Sequence, residues 1–164
     1  MKQPSYLIFQ AYGPEYILRE CMYALLRFAH VHNTEMPDDL EIWIYTDQED
    51  WFRRHFPDCP LPLHFREIDD TLIRQWRGEI NFVHRLKIEV LRDFCQGHSG
   101  NVIYLDTDTY FLASIGNIFE NIRNGALYMH VQESILSQEV NPMMRKLNRF
   151  LKKNEPLIIK GKQV

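Results

Sequence analysis

Short apolar runs and segments of helical period take turns along this chain. Tyr6-Leu7-Ile8-Phe9 is an unbroken apolar run of strand length, closed by Ala11-Tyr12-Gly13-Pro14. Such a run predicts a strand buried on both faces. Ile17, Leu18, Cys21, Met22, Leu25 and Phe28 then recur at helical spacing, predicting a helix over 15–30. Met36-Pro37-Asp38-Asp39 is a turn, and Glu41-Ile42-Trp43-Ile44-Tyr45 a second strand ending at Thr46-Asp47. A short helix over 48–55 is broken by Phe56-Pro57-Asp58-Cys59-Pro60, and Leu63-His64-Phe65 with Ile68 predicts a third strand. A longer helix is expected over 82–95, and Gly97-His98-Ser99-Gly100 leads into a fourth strand, Val102-Ile103-Tyr104-Leu105. Beyond it the pattern predicts a short helix over 115–122, a fifth strand over 126–131 and an amphipathic helix over 143–153.

This alternation predicts an α/β fold, a mostly parallel sheet flanked by helices. With 164 residues and no internal repeat or linker, the chain is expected to form a single domain, 1–164. The formal charge of -3 argues against nucleic acid as the main partner, because phosphate backbones select basic faces. Cys21, Cys59 and Cys95 are odd in number, far apart and without CxxC spacing, which fits a reducing compartment. The first ten residues do not read as a signal peptide, and no apolar run approaches the roughly 20 residues that span a bilayer. The expected location is cytoplasmic. From Val140 onward seven Lys and Arg stand against one Glu, with Met143, Leu147, Phe150 and Leu151 as an apolar stripe. Such a helix covers the sheet, or makes peripheral contact with the inner face of an anionic membrane or with a partner.

Candidate chemistry gathers at predicted strand ends, where open α/β sheets bind ligands. The Ala11-Tyr12-Gly13 turn, Asp47 and Asp106-Thr107-Asp108 all fall there and are expected to share a crevice. Two carboxylates one residue apart, delivered by a buried strand, suit Mg²⁺ or Mn²⁺, with the remaining positions left to phosphates and water. The plainer alternative is that Asp106 and Asp108 end a strand and cap the next turn. On a helical wheel Lys87 falls in the middle of a face made by Val83, Val90, Leu91 and Phe94. An ammonium there must snorkel, pair or meet a ligand. Arg85 and Arg92 fall on the opposite face, where solvent explains them. His30 and His32, two apart on a helix, cannot face one ion, and His130 lies in the predicted fifth strand. Tyr16 opens a helix just beyond the first strand's loop.

Together these residues resemble the GT-A-fold glycosyltransferases, within them the glycogenin-like and lipopolysaccharide galactosyltransferase-like family. The matching segments keep their order: Ala11-Tyr12-Gly13-Pro14-Glu15-Tyr16, then Arg85-Leu86-Lys87-Ile88, then Val102-Ile103-Tyr104-Leu105-Asp106-Thr107-Asp108-Thr109. The resemblance implies a Rossmann-like fold for nucleotide-diphospho-sugars and metal-dependent transfer of a sugar, most readily from a UDP-sugar, to a saccharide or lipid-linked acceptor. It also implies roles residue by residue. The strand-end loop at Ala11, Tyr12 and Gly13, with Tyr16, would hold the nucleotide base, while Lys87 would lie near the donor phosphates or sugar. Asp106 and Asp108 would coordinate Mn²⁺ or Mg²⁺, and Arg77 would help hold the donor. Asp47, Arg85 and Thr107 complete the expected donor-binding set. The metal and Lys87 would stabilise charge on the leaving diphosphate. Glu133, just past the fifth strand, is the candidate general base.

The chain departs from that family in its Tyr12-Gly13-Pro14 turn, which replaces the usual Asn/Thr-Asp. After Asp108 there is no Asp, and His130 is the one histidine. The expectation is the donor-binding N-terminal part of a longer GT-A domain. Two alternatives stand beside it. One is a non-catalytic nucleotide-sugar-binding module or inactive relative. The other, more remote, is a haloacid dehalogenase-like phosphatase, whose motif wants Thr or Val where Tyr110 stands and acidic metal ligands further on.

Overall fold

The computed structural model describes residues 3–32 and 38–128, and past these Pro142, Arg145, Lys146, Arg149, Lys153, Ile158, Ile159, Lys162 and Gln163. The chain divides into two compact units, Met1–Ala126 and Leu127–Val164. In the first, strand β1 (Ser5–Gln10) is followed by helix α1 (Glu15–Val31), β2 (Leu40–Thr46), α2 (Glu49–His55) and β3 (Leu63–Glu67). Helices α3 (Asp70–Arg77) and α4 (Arg85–Gly97), strand β4 (Asn101–Leu105) and helix α5 (Gly116–Arg123) complete it. The four strands form one sheet in the order β3-β2-β1-β4, every pair parallel. The α/β architecture expected from the alternating pattern is therefore present.

Side-chain alternation along the strands divides the apolar residues between two cores. Leu7 and Phe9 of β1 join Ile42 and Ile44 of β2, then Leu18, Cys21, Leu25 and Phe28 of α1, Phe52 of α2 and Phe119 of α5. Tyr6 and Ile8 face the other way, into a cluster with Tyr45, Ile73 of α3, and Leu86, Val90 and Phe94 of α4. Helices thus cover both faces, which is why β1 reads as continuously apolar rather than alternating. Leu7, Ile8 and Phe9 are fully buried; truncating such a side chain to alanine typically costs about 2–5 kcal/mol.

Two elements differ from the pattern-based expectation. Helix α3 has no counterpart among the predicted elements, because most of its residues are polar and Ile73 is its single buried residue, with Leu72 and Trp76 partly buried beside it. Its signals lie in its ends. Asp69 accepts a hydrogen bond from the Leu72 N–H at 2.7 Å, and Gly78 at φ 66 stops the helix. Helix α4 begins at Arg85 rather than at residue 82. Gly78 and Asn81 both have positive φ, and 78–84 is occupied by turns that end with the Arg85 N–H on the Phe82 carbonyl.

The fifth strand expected over 126–131 is not found at 126–128, which have no regular structure, and 129–131 lie outside the described residues. In the second unit Arg145, Lys146, Arg149 and Lys153 are helical and exposed, within the segment expected to be a helix. Strands β5 (Ile158–Ile159) and β6 (Lys162–Gln163) pair antiparallel there. Among the described residues no helix is long and apolar enough to cross a membrane.

Candidate functional site

With β2 and β3 on one side of β1 and β4 on the other, the strand order reverses between β1 and β4. Sheets of this kind bind ligands at the carboxyl ends of the strands flanking such a reversal. A cleft of about 400 Å³ opens there, lined by Gln10, Tyr16, Ile17, Glu20, Lys87, Tyr104, Asp106, Thr107 and Asp108. Its size suits a small-molecule ligand.

Strand parity explains how Lys87 and Asp106 meet. Tyr104 lies on the α4 face of β4, and Asp106, two residues on, keeps that direction. The Lys87 ammonium donates to Asp106 Oδ2 at 2.6 Å. Thr107 has the opposite parity and turns toward α1, where its hydroxyl lies 3.5 Å from Glu20 Oε2. The strand then ends in a turn closed by the Thr109 N–H on the Asp106 carbonyl at 3.1 Å. That turn is backbone-made, so neither carboxylate is consumed in capping it. Asp108 has no hydrogen-bond or ion-pair partner among the described residues.

The position of Lys87 is a correction to the helical-wheel expectation. With α4 starting at Arg85, Val83 falls outside the helix and is exposed, and the buried stripe is Leu86, Glu89, Val90 and Phe94. Lys87 sits at the edge of that stripe beside partly buried Leu91, with its side chain 40% exposed. Of the outcomes open to it, it pairs. The buried charge in the stripe is Glu89, bracketed by Arg85 at 3.2 Å and Arg92 at 3.4 Å. Arg85 is thereby engaged away from the cleft and does not line it.

The remaining expected residues form a second cluster along the ends of β1 and β2. The Ala11 N–H continues the sheet by donating to the Tyr45 carbonyl at 2.9 Å. The Gly13 N–H lies 3.1 and 3.2 Å from the two Asp47 oxygens, and the Gln48 amide donates to the Gly13 carbonyl at 2.7 Å. Arg77 Nη2 donates to the Tyr12 hydroxyl at 3.1 Å, with its guanidinium carbon 6.0 Å from that ring's centre. Arg77 Nε is buried without a hydrogen-bond partner among the described residues. Asp47 therefore shapes the Gly13 loop and lines a separate acidic cavity with Glu49, Asp50 and Glu67. Tyr16, Lys87, Asp106, Thr107 and Asp108 come together in the cleft; Ala11, Tyr12, Gly13, Asp47, Arg77 and Arg85, expected with them, do not line it. Glu133 and His130 lie outside the described residues.

Four cleft residues were not expected as site residues: Gln10, Ile17, Glu20 and Tyr104. Glu20 carried a signal, since it sits one helical turn after Tyr16 on the same face of α1. Burial pushes the Tyr104 hydroxyl's pKa well up, reinforced by the nearby Asp106 charge and by Tyr12. It stays protonated at neutral pH and faces Gln10 Oε1 at 3.4 Å.

The donor set can be tested for a divalent cation. Among the described residues no three His, Cys, Asp or Glu gather around one point. Asp106 Oδ1 and both Asp108 oxygens are uncommitted among the described residues, and both residues line the same cleft. One or two carboxylates, completed by phosphate oxygens and water, is how Mg²⁺ is commonly held, so the pair fits a cation that arrives with a phosphate. Comparison with protein-family models and with curated proteins finds no match.

Proposed function

We propose that the cleft between β1 and β4 binds a nucleotide-diphosphate sugar with Mn²⁺ or Mg²⁺, as the donor site of a glycosyltransferase. The observation that carries this reading is the convergence of Lys87, Asp106 and Asp108 on one cleft at the strand-order reversal. Asp106 and Asp108 would hold the cation, which supplies Lewis-acid charge neutralisation at the leaving diphosphate. Lys87 would donate to phosphate oxygens, adding fixed positive charge where negative charge grows. Tyr16, 62% exposed and lining the cleft, offers a ring face for the nucleotide base. Thr107 and Glu20 offer hydroxyl and carboxylate groups that can bond sugar or ribose hydroxyls.

A UDP-sugar is the proposed donor, and a saccharide or a lipid-linked saccharide the proposed acceptor. Free Cys21, Cys59 and Cys95 fit a cytoplasmic setting. The exposed basic positions Arg145, Lys146, Arg149 and Lys153 support peripheral contact with an anionic membrane face. Sedimentation with phosphatidylserine vesicles would detect it, and an absence of co-sedimentation at low salt would rule it out. The donor site is tested by calorimetric titration of UDP with and without Mn²⁺. Binding should require Mn²⁺ and be lost in Asp108→Ala; metal-independent binding, or an unaffected Asp108→Ala, would remove the metal from the site.

A further inference from the structure

We infer that Lys87 is a specificity-determining residue that makes the cleft accept a divalent cation and a diphosphate as a unit and resist either alone. The identity of the diphosphate rests on the donor-site reading above. The Lys87 ammonium sits 2.6 Å from Asp106 Oδ2, on one of the two carboxylates a cation would use. A free divalent ion on these carboxylates competes with that ammonium for Asp106, and the ammonium, tethered to α4 at the wall of the same cleft, repels the newcomer. A diphosphate alone meets the opposite difficulty. Asp106, Asp108 and Glu20 line the cleft, and Lys87, the one cationic lining residue among those described, is already paired.

Arriving together, the two ligands relieve both conflicts. Asp106 and Asp108 would hold the cation, which would loosen the Lys87–Asp106 pair and leave the Lys87 ammonium able to donate to the diphosphate. The pair is placed for such an exchange, since Lys87 and Asp106 are 40% and 48% exposed and an ion pair that open to water is held weakly. By linkage, the factor by which nucleotide raises cation affinity equals the factor by which cation raises nucleotide affinity. The competing account is a pin: the same ion pair merely ties α4 to the end of β4, contributing to stability and to nothing else.

Calorimetry on the full chain separates these accounts, using Mn²⁺ alone, UDP alone, and UDP at saturating Mn²⁺, corrected for Mn²⁺–UDP association in free solution. Wild type should show coupling of about tenfold or more in both directions. In Lys87→Met the affinity for Mn²⁺ alone should rise by about fivefold or more, and the coupling should fall by at least the same factor, leaving the part that direct cation–phosphate contact supplies. Lys87→Arg, which keeps the charge, should restore both wild-type behaviours. A Lys87→Met protein that binds Mn²⁺ no more tightly than wild type, or that keeps the full coupling, overturns the inference and leaves the pin. Should Mn²⁺ alone bind more tightly to Lys87→Met while UDP binds neither protein, the donor-site reading fails and the role of Lys87 toward the cation stands.

Discussion

The Gly13 N–H points at the carboxylate of Asp47, 3.1 Å from one oxygen and 3.2 Å from the other. With Gln48 Nε2 donating to the Gly13 carbonyl at 2.7 Å and reaching Asp47 Oδ1 at 3.3 Å, the loop after β1 is clasped at a single residue by the loop after β2. Removing the carboxylate in Asp47→Ala deletes a charge-assisted bond that sits in solvent, so stability should fall by about 1 kcal/mol. The more sensitive readout is local. Amide exchange at Gly13 should accelerate while exchange at Leu7 and Ile8 of β1 stays slow, and an unchanged Gly13 rate would show that the clasp does not hold the loop.

Two glycines with positive φ should respond differently to alanine. At Gly13, φ is +82 and a Cβ would meet nothing within 4 Å, so only the backbone penalty applies, about 1–2 kcal/mol. At Gly100, φ is +154 and a Cβ would lie 2.5 Å from the Pro4 carbonyl oxygen, where the Asn101 N–H also bonds. That oxygen belongs to the backbone leading into β1, so relief requires moving a strand. Gly100→Ala should therefore lower the melting temperature clearly more than Gly13→Ala; the reverse order would mean the β1–β4 edge is looser than described.

The segment that leaves the Asp106–Asp108 turn is anchored to the far end of α1. The Ile115 N–H donates to His32 Nε2 at 2.8 Å, which requires the other ring nitrogen to carry the proton and donate to the Phe28 carbonyl at 3.1 Å. Arg27 Nε donates to the Phe111 carbonyl at 3.2 Å, and the Phe111 ring meets Phe28 edge-on at 4.9 Å. His32→Leu keeps bulk but deletes the acceptor, leaving the Ile115 N–H without its partner at a cost of about 1–3 kcal/mol. A shift in the chemical-denaturation midpoint with an unchanged slope checks this. A midpoint equal to that of wild type would mean water replaces the imidazole.

Much of the fold was legible because its core is periodic. The apolar runs at Leu7-Ile8-Phe9 and Ile42-Trp43-Ile44 mark strands buried on both faces, and Leu18, Cys21, Leu25 and Phe28 mark the buried side of α1. Helix α3 was hidden because Ile73 alone is buried, although Asp69 and Gly78 frame it. The wheel drawn over 82–95 placed Lys87 mid-face because it counted Val83 as helical, whereas turns at Gly78 and Asn81 delay the helix to Arg85. Asp106 and Asp108 stood out as a local motif on a strand end. Their relation to Lys87 depends on which face of β4 Asp106 continues, and that of Thr107 to Glu20 on the opposite parity. Such contacts lie between residues 19 and 87 positions apart, and no local pattern encodes them.

Anomalous scattering from crystals grown with UDP and Mn²⁺ tests the central claim most directly. A manganese peak is expected in contact with carboxylate oxygens of both Asp106 and Asp108, bridging to the diphosphate, with Lys87 moved from Asp106 onto a phosphate oxygen. A manganese peak elsewhere, or UDP seated in the cleft with Lys87 still on Asp106 and no manganese between the two carboxylates, would contradict it.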